Sequence, residues 1–130
     1  MIDTNIFIDV FTKRQPFYLS SKKVLDYCED GKIDGFVSAS SITDIYYLLR
    51  RITKSYEISY QALGSILNIV KVANVTNSDV ITAYSKKAKD FEDCLLATCA
   101  LSNNCKGIVT RNKQDFEQLG ITVYSPEEII

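Results

Sequence analysis

Asp3, Asp44, Asp93 and Asp115 are the residues of this chain best placed for chemistry. Asp3 follows the apolar pair Met1-Ile2 and precedes the helical pattern Asn5–Phe11. Asp44 falls in the first turn or so of a helix behind a short apolar strand. Asp93 lies in the first turn of a strongly apolar helix, and Asp115 opens the segment after Gly107-Ile108-Val109-Thr110. Sites in open α/β sheets form at the carboxyl ends of parallel strands, and all four acids fall at such ends. Carboxylates gathered in one place repel one another unless a cation sits between them. Oxygen donors without His or Cys favour Mg²⁺ or Mn²⁺. Such a site suits hydrolysis of a phosphodiester through a metal-activated water.

The chain contains no histidine. That removes Ser-His-Asp and Cys-His nucleophile systems and His-ligated zinc. Acid–base work falls to carboxylates, Lys, Tyr, Cys or water on a metal. A net charge of −1 gives no global attraction to nucleic acid, so local cations must hold any polyanion. Arg111 and Lys113 flank Asn112 beside the proposed site and are the expected phosphate contacts. Arg50 and Arg51 are further candidates for an RNA backbone, and Tyr46 and Tyr47 for stacking on bases, although Tyr46 is expected to cover the core. Lys86, Lys87 and Lys89 read as a solvated helix end. Cys28, Cys94, Cys99 and Cys105 show no C-x-x-C pairing and are expected to be reduced, in a cytosolic protein. The N-terminus lacks a signal-peptide pattern, and no apolar run approaches a membrane span.

The elements that must carry these acids alternate between short strands and helices. Helices are expected over Asn5–Phe11, Tyr18–Asp30, from caps at Ser40 and Ser41 to Thr53, over Ser59–Val70, from a cap at Asn77 or Ser78 to the lysine cluster, and over Asp90–Leu101. Ile42, Ile45, Leu49 and Ile52 recur at helical spacing and form a buried stripe. Strands are expected at Asp34–Val37, Val72–Val75, Gly107–Thr110 and Ile121–Tyr124, with Met1-Ile2 as a clipped first strand. A helical turn is expected over Asp115–Leu119, and Ser125-Pro126-Glu127-Glu128 is a capped helix start. The pattern is α/β: a three-layer α/β/α fold on a short-stranded, mainly parallel sheet. Residues 1–130 make one domain, and Ser40–Val70 is expected as a helical hairpin standing off the sheet.

Each acid also has a purely structural role open to it. Asp3 caps the first helix, Asp44 is a surface helix acid, Asp93 is the N3 partner of an Asp90 cap, and Asp115 favours a helix start. Their joint placement carries the functional reading. A receiver-like phosphoacceptor is the weakest alternative, because it needs its acceptor at the end of a strand, and Asp93 opens a helix.

The ordered segments Asp3-Thr4-Asn5, Ser41-Ile42-Thr43-Asp44-Ile45, Asp90-Phe91-Glu92-Asp93 with Leu95-Leu96-Ala97-Thr98-Cys99-Ala100, and Val109-Thr110-Arg111-Asn112-Lys113-Gln114-Asp115-Phe116 resemble the PIN domain family. So do Gly120-Ile121 and Ser125-Pro126-Glu127-Glu128, which makes the likeness nearly chain-long. The resemblance implies a metal-dependent ribonuclease acting on single-stranded RNA. Many small members are toxins of bacterial toxin–antitoxin pairs, restrained by an antitoxin and often dimeric. It also implies that Asp3, Asp44, Asp93 and Asp115 hold Mg²⁺ or Mn²⁺, with Thr4, Asn5, Thr110, Arg111 and Asn112 in support. The chain departs from the family pattern at Asp44, where Glu is usual, at Asn112, where Asp is common, and in its clipped first strand. Those departures frame the alternative, a PIN-like module of weak or no activity that acts by binding a protein or RNA.

Overall fold

A computed structural model describes residues 1–129. It is an α/β/α sandwich, 60% helical and 9% strand. Along the chain lie α1 (Thr4–Phe11), α2 (Tyr18–Glu29), β1 (Phe36–Ser38), α3 (Ala39–Thr53), α4 (Tyr56–Ile69), β2 (Lys71–Ala73), α5 (Asn77–Lys86), α6 (Phe91–Ser102), β3 (Ile108–Val109) and β4 (Val123–Tyr124). Single 3₁₀ turns cover Lys113–Phe116 and Pro126–Glu128.

The clipped first segment is the middle of the sheet. Ile2 N–H donates to Phe36 O (2.8 Å) on one side; Val109 N–H donates to Met1 O (2.9 Å) and Asp3 N–H to Val109 O (3.0 Å) on the other. Ile2 pairs in parallel with Val109. With β1 parallel to β2 and β3 parallel to β4, the spatial order is β2, β1, Met1–Asp3, β3, β4. Two residues suffice because both neighbours satisfy their backbone groups and both helical layers bury their side chains. Successive strand residues point to opposite faces. Ile2 therefore enters one apolar cluster, with Phe7, Val24, Ile45, Leu49 and Ile66. Met1 enters the other, with Leu96, Ala97, Ala100, Ile108 and Phe116.

Local chemistry sets the helix ends. Asp3 caps α1, Asp90 caps α6, and Lys54 ends α3 in a left-handed conformation. Gly31, just past α2, has φ +71°, a conformation glycine adopts without strain. Three caps differ from expectation. Ser38, not Ser40 or Ser41, caps α3 by accepting from Ser41 N–H. Ser55 caps α4, which therefore starts at Tyr56, and Thr76 caps α5 in a reciprocal box with Asp79. In each case a hydroxyl closer to the preceding strand or turn reaches the N3 amide first. The α3–α4 hairpin does not stand off. It packs on α1 and α2, with Ile45, Leu49, Ala62 and Ile66 in the core. Ile52, expected in the buried stripe, is 52% exposed because α3 runs past the edge of the core there. All four cysteines are free thiols, and burial pushes those of Cys28 and Cys99 up to about 11. Among the described residues no helix is long and apolar enough to cross a membrane.

Candidate active site

Asp3 leaves the central strand at its carboxyl end and turns into α1. Its carboxylate does two jobs: Oδ1 accepts from Thr4 N–H (2.7 Å), while Oδ2 accepts from Thr110 Oγ1 (2.7 Å) and Asn5 Nδ2 (3.2 Å). The same Asn5 Nδ2 donates to Thr110 Oγ1 (3.1 Å), and Asn112 N–H also donates to that hydroxyl (3.1 Å). Thr110 is fully buried at the end of β3. The roles of helix cap and site acid are therefore compatible, since each uses a different oxygen. Burial raises the pKa of Asp3, against the lowering effects of the Thr110 and Thr4 hydrogen bonds and the Arg111 charge, with Asp115 pushing it up further.

Asp93 comes from α6. The cap is supplied by Asp90 Oδ1, which accepts from Asp93 N–H (3.0 Å). Among the described residues no reciprocal bond ties the Asp93 carboxylate to the Asp90 backbone, which leaves that carboxylate to the site. Its pKa is pushed up to about 7, first by desolvation and then by the charges of Asp90, Asp3, Asp115 and Glu92. Asp93 is thus close enough to Asp3 to feel its charge.

Asp44 joins them from α3. A cavity of about 320 Å³ is lined by Asp3, Asp44, Glu92 and Asp93, together with Ser40, Ser41 and Thr43. Glu92 was not singled out from the sequence. It turns towards Asp44 because α3 and α6 both begin at the same edge of the sheet. Its pKa is raised by desolvation and then by the charges of Asp44, Asp90 and Asp3. Its sign in the sequence is an acid adjacent to Asp93 in the same first turn.

Asp115 occupies the other flank. It stands on the Lys113–Phe116 turn, anchored by the fully buried Phe116 and by a bond from Asp115 N–H to Asn112 O (3.0 Å). It lines a second cavity of about 830 Å³ with Lys86, Lys89, Asp90, Asp93 and Gln114. Asp93 is shared, so it sits at the junction of the two cavities. Lys86 and Lys89, expected as a merely solvated helix end, are exposed and face this acid-lined space. Lys87 instead lies over the Tyr84 ring, 3.3 Å from its centroid.

Arg111, expected as a phosphate contact, is tied to a buried acid. Its Nε donates to Asp9 Oδ2 at 2.6 Å, and its guanidinium stacks over Phe17, 4.3 Å from the ring centroid. A cation committed to a buried partner tethers its loop. Of the other expected supports, Thr4 contributes its backbone N–H, Asn5 bridges Asp3 and Thr110, and Asn112 is exposed beside them. A third cavity of about 660 Å³ adjoins Asp44 and Glu92 and carries Tyr47, Arg50, Arg51 and Lys54. Tyr47 is 69% exposed, whereas Tyr46 is half-buried against Tyr60.

The polar groups that line the smaller cavity with Asp93 are carboxylates and hydroxyls, all oxygen donors, and the crowded acids repel one another. Such donors suit a hard divalent cation. Among the described residues no three of them are drawn together closely enough to form a ready-made chelate. In chemical type and charge the set fits a divalent ion, and the ion's own charge would offset the repulsion among the acids.

A PIN domain family model matches residues 1–114. The chain is 27% identical over 132 aligned residues to "Ribonuclease VapC1" of Aquifex aeolicus (strain VF5), spanning 98% of this chain and 90% of the relative. The match runs from the central Asp3 through α6 to the Thr110–Gln114 loop, so the chain belongs to the PIN domain family.

Proposed function

We propose that this chain is a Mg²⁺- or Mn²⁺-dependent ribonuclease that hydrolyses phosphodiester bonds of single-stranded RNA, as the toxin of a toxin–antitoxin pair. The observation that carries this reading is the position of Asp93 at the junction of two cavities, its carboxyl raised to about 7 first by desolvation and then by its acidic neighbours. Asp3 and Asp93 would hold the principal cation, with Asp44 and Asp115 completing the set. The similarity to a relative named a ribonuclease supports the substrate class. We take residues 1–130 as one catalytic domain.

When bound, the cation supplies a Lewis acid and lowers the pKa of water at neutral pH. The rest falls to the chain's own residues. Asn5 and Thr110 hold the Asp3 carboxylate in one orientation through bonds of 3.2 and 2.7 Å. Lys86 and Lys89 offer positive charge to a phosphate entering the larger cavity beside Asp115. Tyr47, with Arg50, Arg51 and Lys54, gives an aromatic and cationic surface on which an unpaired base and its backbone can rest. Single strands fit this arrangement because stacking needs an unpaired base face. We further propose a cytoplasmic homodimer restrained by an antitoxin protein. The exposed Ile52, Tyr56, Ile58 and Tyr60 give the α3–α4 hairpin an apolar surface for such contacts.

The test is cleavage of a labelled single-stranded RNA with Mn²⁺. Activity should disappear with chelator and fall at least ~100-fold in Asp93→Asn, as expected when a charged ligand of the site is lost. Cleavage that persists in chelator would refute the proposal. A second reading has its own support, in Asp44 and Asn112, the two acid positions where the chain departs from the family pattern. On that reading the chain is a PIN-like module that binds a protein or RNA partner without turnover. Mn²⁺ binding by calorimetry with no cleavage on long incubation would favour it.

A further inference from the structure

We propose that Asp9 and Arg111, braced by Phe17, form a strut that positions the Asp3–Asn5–Thr110 network. The proposal rests on the ribonuclease reading for its catalytic consequence alone. Asn5 and Asp9 are four residues apart on α1, so they share one helical face. Both reach the loop after β3. Asn5 accepts from Arg111 N–H at 3.4 Å and donates to Thr110 Oγ1 at 3.1 Å. Asp9 Oδ2 accepts from Arg111 Nε at 2.6 Å and from Ser21 Oγ at 3.0 Å. The guanidinium plane rests on Phe17, from the turn between α1 and α2. Arg111 is therefore held by its backbone, its Nε and its ring face, and its neighbour Thr110 is held with it.

Stability alone does not account for this arrangement. Asp9 is fully buried, and its Oδ1 is the one fully buried side-chain polar atom without a hydrogen-bond partner among the described residues. A carboxylate only half satisfied in a core is costly. Apolar side chains of similar volume commonly serve a core as well as a buried ion pair or better. What the ion pair supplies is direction: it fixes the start of the Thr110–Asn112 loop against the helix that Asp3 caps. With the strut in place, Thr110 Oγ1 stays 2.7 Å from Asp3 Oδ2. In this arrangement Asp9 and Arg111 act as positioning residues, through Asn5 and Thr110.

The test uses the full chain with the double replacement Asp9→Leu/Arg111→Met, and with Arg111→Lys, which keeps the charge but loses the planar stack. Three readouts apply: thermal unfolding, Mn²⁺ affinity by calorimetry, and the Asn5 side-chain amide signals in ¹⁵N–¹H spectra of the metal-free protein. The double variant should keep a melting temperature near that of the parent. Its Asn5 amide pair should move towards free, averaged positions. Mn²⁺ affinity and RNA cleavage should fall about 10–100-fold, the usual cost of losing the support behind a metal ligand. Arg111→Lys should fall between the two. Unchanged Asn5 signals with parent-like Mn²⁺ affinity would overturn the strut. If the double variant does not fold, Arg111→Lys decides alone, and parent-like values in it overturn the proposal. Shifted Asn5 signals in a protein whose parent neither binds Mn²⁺ nor cleaves RNA would leave the strut standing and remove the ribonuclease reading.

Discussion

Replacing Asp93 with Asn should make the metal-free protein more stable at pH 8 than the parent, although it removes the central carboxylate of the site. The Asp93 carboxyl is raised from 3.8 to about 7, chiefly by desolvation and then by Asp90, Asp3, Asp115 and Glu92. A raised carboxyl binds its proton more tightly in the folded chain than in the unfolded one. Its contribution is therefore fully present below about pH 4 and is lost as pH rises through about 7. At about 1.4 kcal/mol per pH unit the full difference would be roughly 4 kcal/mol. Asp93 is partly open to solvent, and screening reduces this to about 1–2 kcal/mol. Asn does not titrate and so escapes the repulsion, but it gives up about 0.5 kcal/mol of favourable charge at the start of α6. The net gain of roughly 1 kcal/mol should appear as about 3–6 °C in melting temperature for a chain of this size. The assay is thermal unfolding in chelator at pH 5 and pH 8, repeated with Mn²⁺ at pH 8. The advantage of Asn over Asp should grow from pH 5 to pH 8. Added Mn²⁺ should raise the parent and leave the variant unmoved, since an ion stabilises only the state that binds it. An equal difference between the two proteins at both pH values would show that Asp93 is not under this repulsion.

Phe116→Ala should cost about 3–5 kcal/mol in urea unfolding, because a fully buried ring leaves a cavity between α6 and the turn that carries Asp115. A loss under 1 kcal/mol would mean that the turn is not anchored there. Glu92→Gln relieves the repulsion with Asp44, yet it should weaken Mn²⁺ binding several-fold by removing a charge from the 320 Å³ cavity. Calorimetry giving an unchanged affinity would exclude Glu92 from the site.

What the sequence determined by itself is what depends on neighbours within a few positions. The Asp90 cap and the glycine stop at Gly31 follow from local backbone chemistry, as does the cap of α1, which the sequence narrows to Asp3, Thr4 or Asn5. The apolar helix after Asp93 and the alternation of strands and helices follow from periodicity, and with them the α/β class and the chain order of the four acids. The caps at Ser38, Ser55 and Thr76 were less legible, because neighbouring Ser, Thr or Asn residues offered competing side chains. Tertiary structure decided the rest. Two residues become the middle strand because β1 and β3, distant in sequence, supply their hydrogen bonds. Glu92 joins the site because the start of α6 meets the start of α3. The tie of Arg111 to Asp9 was out of reach of the sequence because its partner lies 102 positions away and is visible only once α1 packs beside β3. Long-range pairing of this kind has no local signature, because either side chain would be equally content in water until the fold removes the water between them.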